Sequence, residues 1–309
     1  MLLKKFELIY RNIAINNQDM KQDEKLKQIV KDKYDQLAKS EQAGSCCGGA
    51  PDRNKVYNIM MDDYSEVEGY EPDADLGLGC GLPTKFARIN KGDTVIDLGS
   101  GAGNDCFVAR YETGPEGKVI GIDFTESMIQ RARLNAEKRG FNNVEFRQGD
   151  IDNMPVNDNV ADVIVSNCVL NLVPNKSQVI SEIFRVLKPG GHFSISDIVM
   201  VGKLPEALRK DAEMYAGCVA GAIQKSEYLG LIESQGFQNI KLQKEKTITL
   251  PESLLEKYLG KEERAAFMQG STGIFSITVY AEKPGEKIMA ENHKAETTAD
   301  CCAPKNPCC

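Results

Sequence analysis

Five short apolar runs, spaced by helix-like segments and turns, constrain this chain more than any other feature. They are "DTVIDLG" from Asp93, "GKVIGID" from Gly117, "NVEFRQGD" from Asn143, "VADVIVSN" from Val160 and "GHFSISDIV" from Gly191. Between them, "NDCFVARYE", "TESMIQRARLNAEKRG" and "KSQVISEIFRVL" read as helices, the second with Thr125 as N-cap and Gly140 as its stop. Strands alternating with helices at these lengths imply parallel βαβ units, hence an α/β fold with a doubly wound, mostly parallel sheet. After Met200 the pattern changes: "LPEALRKDAEMYAGCVAGAI" and "SEYLGLIESQGF" read as helices, "NIKLQKEKTITL" and "GIFSITVYAEKP" as strands. This makes a smaller C-terminal α+β region.

The flanks differ from this core. "MKQDEKLKQIVKDKYDQLAKS" is a charged helix pattern beginning at Met20, so the first nineteen residues read as an upstream extension of little structural weight. "EQAGSCCGGAPDRN" is a Gly-rich break, and the composition turns polar from about Pro284. The expected organisation is a poorly ordered extension (1–24), an N-terminal helix and cap segment (25–90), a ligand-binding α/β domain (91–200), a C-terminal substrate region (201–284) and a disordered Cys-rich tail (285–309). A net charge of −7 argues against nucleic acid as a partner. No window reaches the ~18 apolar residues of a membrane span, and "MLLKKFELIYRNIAINNQ" lacks the apolar core and cleavage site of a secretory signal. The expectation is a cytoplasmic monomer with no membrane partner.

The chemistry begins at "VIDLGSGAGND", where Asp97, Gly99, Ser100, Gly101 and Gly103 lie at a strand-to-helix turn. Glycines there let the backbone turn sharply and approach a ligand. The third glycine arrives one residue too early for a dinucleotide fingerprint, with Asn104 in the later position, and no Lys-Ser/Thr pair makes a P-loop. Asp123 ends the second strand, where a carboxylate can accept from two ribose hydroxyls; Asp150 and Ile151 end the third. The ordered set "DLGSGAGND", "GID", "GDI" and "LKPGG" resembles the Rossmann-like S-adenosylmethionine-dependent methyltransferases over roughly residues 91–199. The resemblance implies that Asp97, Gly99, Ser100, Gly101 and Gly103 line the methionine and ribose end. It implies Asp123 for the ribose hydroxyls, Phe124 and Met128 against adenine, Asp150 and Ile151 at the adenine edge, and Asn167 near the methionine.

Ten cysteines set against two histidines then ask for a role. Cytosolic thiols stay reduced, and none of these forms a CxxC pair, so neither a disulfide framework nor a common zinc site is expected. Cys106 lies within a helix pattern and reads as an inert buried thiol. Cys80, Cys168 and Cys218 come from three distant segments able to meet over the strand tips. Three thiolates without histidine suit a soft ion, and a trigonal-pyramidal ion such as trivalent arsenic needs no fourth ligand. "LGLGCGLPT", "SNCVLNLVPNKSQVISEIFRVLKPGG" and "YAGCVAGAIQKSEYLGLIESQGF" resemble the arsenite methyltransferases, a likeness running from about Lys25 to Tyr280. That likeness implies Cys80, Cys168 and Cys218 as arsenic ligands and a redox partnership of Cys46 or Cys47 with Cys80. It further implies arsenite delivered as a thiol conjugate and a thiol reductant, thioredoxin or glutathione, as co-substrate. Two other readings stand beside it: a methyltransferase for another small acceptor, and a non-catalytic binder of thiophilic metals. The tail doublets Cys301–Cys302 and Cys308–Cys309 are either a capture arm for arsenite or a plain oxidation-prone end.

Overall fold

The structure is a computed structural model that describes residues 24–39, 62–203, 205–206, 221–250, 252–269 and 273–285. Cys46, Cys47, Cys218, the tail cysteines and the helix expected over most of 204–223 lie outside the described residues. In chain order the described elements are α1 (24–39), α2 (Pro83–Phe86), β1 (Thr94–Leu98), α3 (Asn104–Thr113), β2 (Lys118–Asp123), α4 (Glu126–Arg139), β3 (Val144–Gln148) and β4 (Ala161–Asn167). There follow α5 (Lys176–Val186), β5 (Leu187–Val201), α6 (Lys225–Ser234), β6 (Gln238–Ile248), α7 (Glu252–Leu255), α8 (Lys261–Gln269) and β7 (Gly273–Glu282).

All seven strands form one sheet in the order β3-β2-β1-β4-β5-β7-β6. The first five are mutually parallel, and β7 runs antiparallel to both β5 and β6. The five expected strands and the three helices between them are therefore present. The two late strands do not make a sheet of their own; they extend the same one.

Side-chain alternation along the central strands explains the double winding. Val95, Val119, Val163 and Val165 point to one face, where they pack with Phe107 and Ala109 of α3 and Ile129 and Ala132 of α4. Their neighbours Ile96, Leu98, Ile120, Ile122 and Ile164 point to the other, against Val179, Ile180 and Ile183 of α5 and Ile232 of α6. A strand buried on both faces must be apolar at consecutive positions, which is why "VIDL" and "VIV" show no polar alternation. Helix boundaries follow ordinary chemistry. Asn175 caps α5 by accepting from Gln178 N (3.1 Å), and Gly140 ends α4 with a left-handed φ of 67°. Thr125 does occupy the N-cap of α4 in extended conformation, but its side chain makes no capping bond.

One asymmetry shapes everything at the ligand end. β4 stops at Asn167, paired with Ser196, while β5 continues to Val201 alongside β7. The overhang carries a third apolar cluster: Ile198, Met200, Ile248, Leu250, Leu255, Leu259 and Ile274, together with Val30 of α1, Leu172, Cys80 and Cys168.

Ile164 is wholly buried in the central strand β4. Ile164→Ala should lower the unfolding free energy by about 2–5 kcal/mol, read as a lower denaturant midpoint at unchanged slope.

Candidate functional site

In this strand order the connections reverse direction between β1 and β4, the place where open α/β sheets bind ligands. A cavity lies there, and its lining follows the strand tips across the sheet. Gly149, Asp150 and Ile151 come from the end of β3, Asp123 and Phe124 from β2, Gly99 to Ala102 from β1, and Asn167 to Val169 from β4. Lys27, Val30 and Tyr34 of α1 lie across from them, with Tyr64, Asp75, Leu76, Leu78 and Gly79 of the long segment before β1.

The glycine loop is tied to β2 by its carboxylate. Asp123 accepts from Gly101 N (3.0 Å) and Thr125 N (2.8 Å), while Ile122 O takes Gly99 N and Ser100 N. Burial pushes the Asp123 carboxyl above its usual range, with those backbone N–H groups acting in opposition. Asp97 is raised well above its ordinary value by burial and by the neighbouring Asp105 charge; the Cys106 thiol donates to it (3.3 Å). Asp105 rises to about 6 through burial, opposed by hydrogen bonds from Tyr64, Asn167 and Thr84. The lining thus carries five carboxyl groups, Asp75, Asp97, Asp105, Asp123 and Asp150, against the single amine of Lys27. Such a cavity favours a cationic ligand. Ser100 Oγ and Asn104 Oδ1 are buried there without a partner among the described residues, so polar groups remain for a ligand to satisfy. A sulfonium nucleoside bearing ribose hydroxyls and an ammonium group fits this set of acceptors.

Beside the cavity stands the cysteine cluster, and Asn167 joins the two. Its Oδ1 accepts from Cys80 N (2.9 Å), and its Nδ2 donates to the Tyr64 phenol oxygen Oη (2.6 Å) and Gly81 O (2.8 Å). Cys168, the next residue, takes a left-handed φ of 62° and donates its N–H to Ser196 O (2.8 Å). The glycines on either side of Cys80 are required by this close approach. A Cβ on Gly79 would lie 2.6 Å from Asn167 Nδ2, and one on Gly81 would lie 2.4 Å from Ser196 Oγ. Cys80 and Cys168 are both buried. Both also act on the Tyr228 phenol, whose pKa is raised well above normal first by burial, then by Asp197, with contributions from each cysteine. Beneath them Asp197 accepts from Asn171 Nδ2 (2.7 Å), Ile198 N (2.8 Å) and Tyr228 OH (3.5 Å). Burial carries its pKa to about 7, opposed by the Ile198 N–H bond and the nearby Lys176 amine.

Of the residues expected from sequence to meet the cofactor, Asp97, Gly99, Ser100, Gly101, Asp123, Phe124, Asp150, Ile151 and Asn167 line the cavity. Gly103 and Met128 do not: a Cβ on Gly103 would meet Phe107 and Phe146, and Met128 is completely buried. Cys168 lines the cavity and shares the apolar cluster with Cys80. His192 Nε2 is hydrogen-bonded with Ala87 O (2.6 Å). Sequence reasoning passed over Asp105, Tyr64 and Lys27. Asp105 was accessible, because "GND" sets a carboxylate in the first turn of the helix that opens on the glycine loop. Tyr64, in a turn-rich stretch, gave no such signal.

Comparison with known proteins bears on this geometry. A family model described as a methyltransferase domain matches residues 89–236. The chain is 41% identical over 232 residues to an arsenite methyltransferase of Halobacterium salinarum, covering 71% of this chain and 59% of that protein. It is 37% identical over 191 residues to the human arsenite methyltransferase, covering 59% of this chain and 50% of that one. The matched stretch thus spans little more than half the length of these curated relatives. A crystal structure of an arsenic(III) S-adenosylmethionine methyltransferase from Chlamydomonas reinhardtii superposes with a TM-score of 0.58 at 30% identity, covering 76% of this chain and 75% of that one.

Asn167→Ala should free the Cys80 loop: amide exchange at residues 78–81 should accelerate at least about tenfold, at a stability cost of about 1–3 kcal/mol. Asp197 yields a pH test. A carboxyl whose pKa rises on folding, here from 3.8 to about 7, binds its proton more tightly when folded. Its contribution to stability is therefore lost as pH rises through that window. Asp197→Asn should gain on the wild type between pH 5 and 8, the difference in unfolding free energy widening by at least about 1 kcal/mol.

Proposed function

The chain belongs to the arsenic(III) S-adenosylmethionine methyltransferases, and from that premise we propose that it methylates trivalent arsenic held by Cys80, Cys168 and Cys218. One observation carries the reading: Cys168 both lines the cavity suited to a sulfonium nucleoside and shares a buried cluster with Cys80. Cys218 would complete a trigonal set of soft ligands.

When bound, S-adenosylmethionine supplies an electrophilic sulfonium methyl. The chain's own part is positioning. The Gly99–Gly101 turn and Asp123 hold the nucleoside, Asp97 and Asp105 favour its positive end, and Asn167 fixes Cys80 beside Cys168. Trivalent arsenic on three thiolates keeps a lone pair and needs no general base to become a nucleophile. The buried cluster excludes water, and alignment of this kind lowers a barrier by roughly 7–11 kcal/mol. Binding displaces thiol protons, as it does when metals bind cysteines. Transfer would leave arsenic pentavalent, and Cys80 with a second thiol, joined as a disulfide, would supply the two electrons that return it to the trivalent state. Cys46 or Cys47 would exchange with Cys80, and thioredoxin or a small thiol would restore the reduced site. In this reading arsenite arrives as a thiol conjugate and the enzyme acts in the cytoplasm; among the described residues no helix is long and apolar enough to cross a membrane.

Incubating the protein with arsenite, S-adenosylmethionine and a thiol should yield methylated arsenic species identifiable by mass. Cys168→Ser and Cys218→Ser should each reduce the rate at least about a hundredfold. Wild-type rates in either variant would exclude this site and favour another acceptor.

A further inference from the structure

Lys27, Val30 and Tyr34 fall three and four residues apart, on one face of α1, and all three line the cavity opposite the strand tips. Val30 is 1% exposed and packs in the cluster that contains Cys80 and Cys168, so the same helix touches both halves of the site. Lys27 Nζ bonds Asp152 Oδ2 (2.7 Å) and Asp150 Oδ1 (3.3 Å), beyond the end of β3. At the far end of α1, Arg131 Nη1 donates to Ala38 O (3.2 Å). An open cleft outside the cavity, lined by Glu24, Gln28, Lys31 and Gln148, shares four of its walls with the cavity: Lys27, Phe124, Gly149 and Asp150. Lys27 therefore stands where the enclosed space meets the open one.

We propose that α1 is the outer wall of the cofactor site and that Lys27 is the positioning residue that latches it, so that the nucleoside leaves only when the Lys27 bridge to Asp150 and Asp152 opens. This rests on the cofactor reading above but not on the identity of the methyl acceptor. The latch suits a site that must empty at every turnover. Its ion pairs are partly exposed, with 31% of the Lys27 side chain and 51% of the Asp150 side chain accessible, so they are weak and sensitive to salt. Val30 and Tyr34 supply the apolar contact that re-seats the helix.

The test follows release of S-adenosylhomocysteine from the full chain by stopped flow, alongside amide exchange of residues 24–39 with and without that ligand. In Lys27→Ala, release should accelerate about fivefold or more, and the ligand-induced protection of 24–39 should fall. Lys27→Arg should restore both. Release from the wild type should quicken with added salt, and release from Lys27→Ala should not, a distinction that a merely structural role for Lys27 would not produce. Should Lys27→Ala fail to fold, Asp152→Asn cuts the shorter bridge from the other side, with the same acceleration expected. Release and protection within twofold of wild type in the folded variant would overturn the latch alone. Failure of the wild type to bind S-adenosylhomocysteine would overturn the cofactor reading with it.

Discussion

The parallel pairing of β1 with β4, Asp97 beside Val165 and Leu98 beside Ser166, is the constraint on which the rest depends. It closes the sheet at the point where the connections reverse, and the chain leaves both strand tips side by side. From one tip comes the glycine turn; from the other come Asn167 and Cys168. A ligand seated on the first must face the second. Ser166 reinforces the junction by donating to Leu98 O (3.0 Å).

Asn167 converts this backbone juxtaposition into a site. Its amide accepts from the Cys80 loop with one atom and donates to Tyr64 and Gly81 with the other, so three segments far apart in sequence meet at one side chain. The long β5–β7 overhang then walls off the space above β4, giving the cysteines an apolar enclosure. A buried carboxylate, Asp197, at the base of that enclosure is held by Asn171 and the Ile198 N–H, so it does not stand as an isolated charge. On the cofactor side the charge balance is deliberately uneven, with acidic groups at the tips and Lys27 at the rim.

Much of this was legible beforehand. The continuous apolar runs of β1, β2 and β4 identify strands buried on both faces, and the glycine turn with Asp123 and Asp150 marks the cavity at the strand ends. Residues that act through their own strand tip were readable because sequence position and spatial position coincide there. Residues that reach the site from elsewhere were not. Tyr64 sits in a turn-rich stretch without periodicity, and Lys27 lies in a helix whose charged pattern resembles any solvated surface. Met128 illustrates the converse: it follows Asp123 closely in sequence, yet the first turn of α4 rotates it into the protein interior.

By itself the sequence determined the alternation of strands and helices, the glycine turn and its carboxylates, because these depend on local chemistry and on a periodicity of a few residues. Only the tertiary structure decided that Cys80 would lie against Asn167 beside Cys168, that β5 would overhang β4 to enclose them, and that α1 would close the cavity through Lys27. Those outcomes are contacts across as many as 125 residues of chain, as between Lys27 and Asp152. They are set by how the sheet twists, stops and is covered, which no local pattern records.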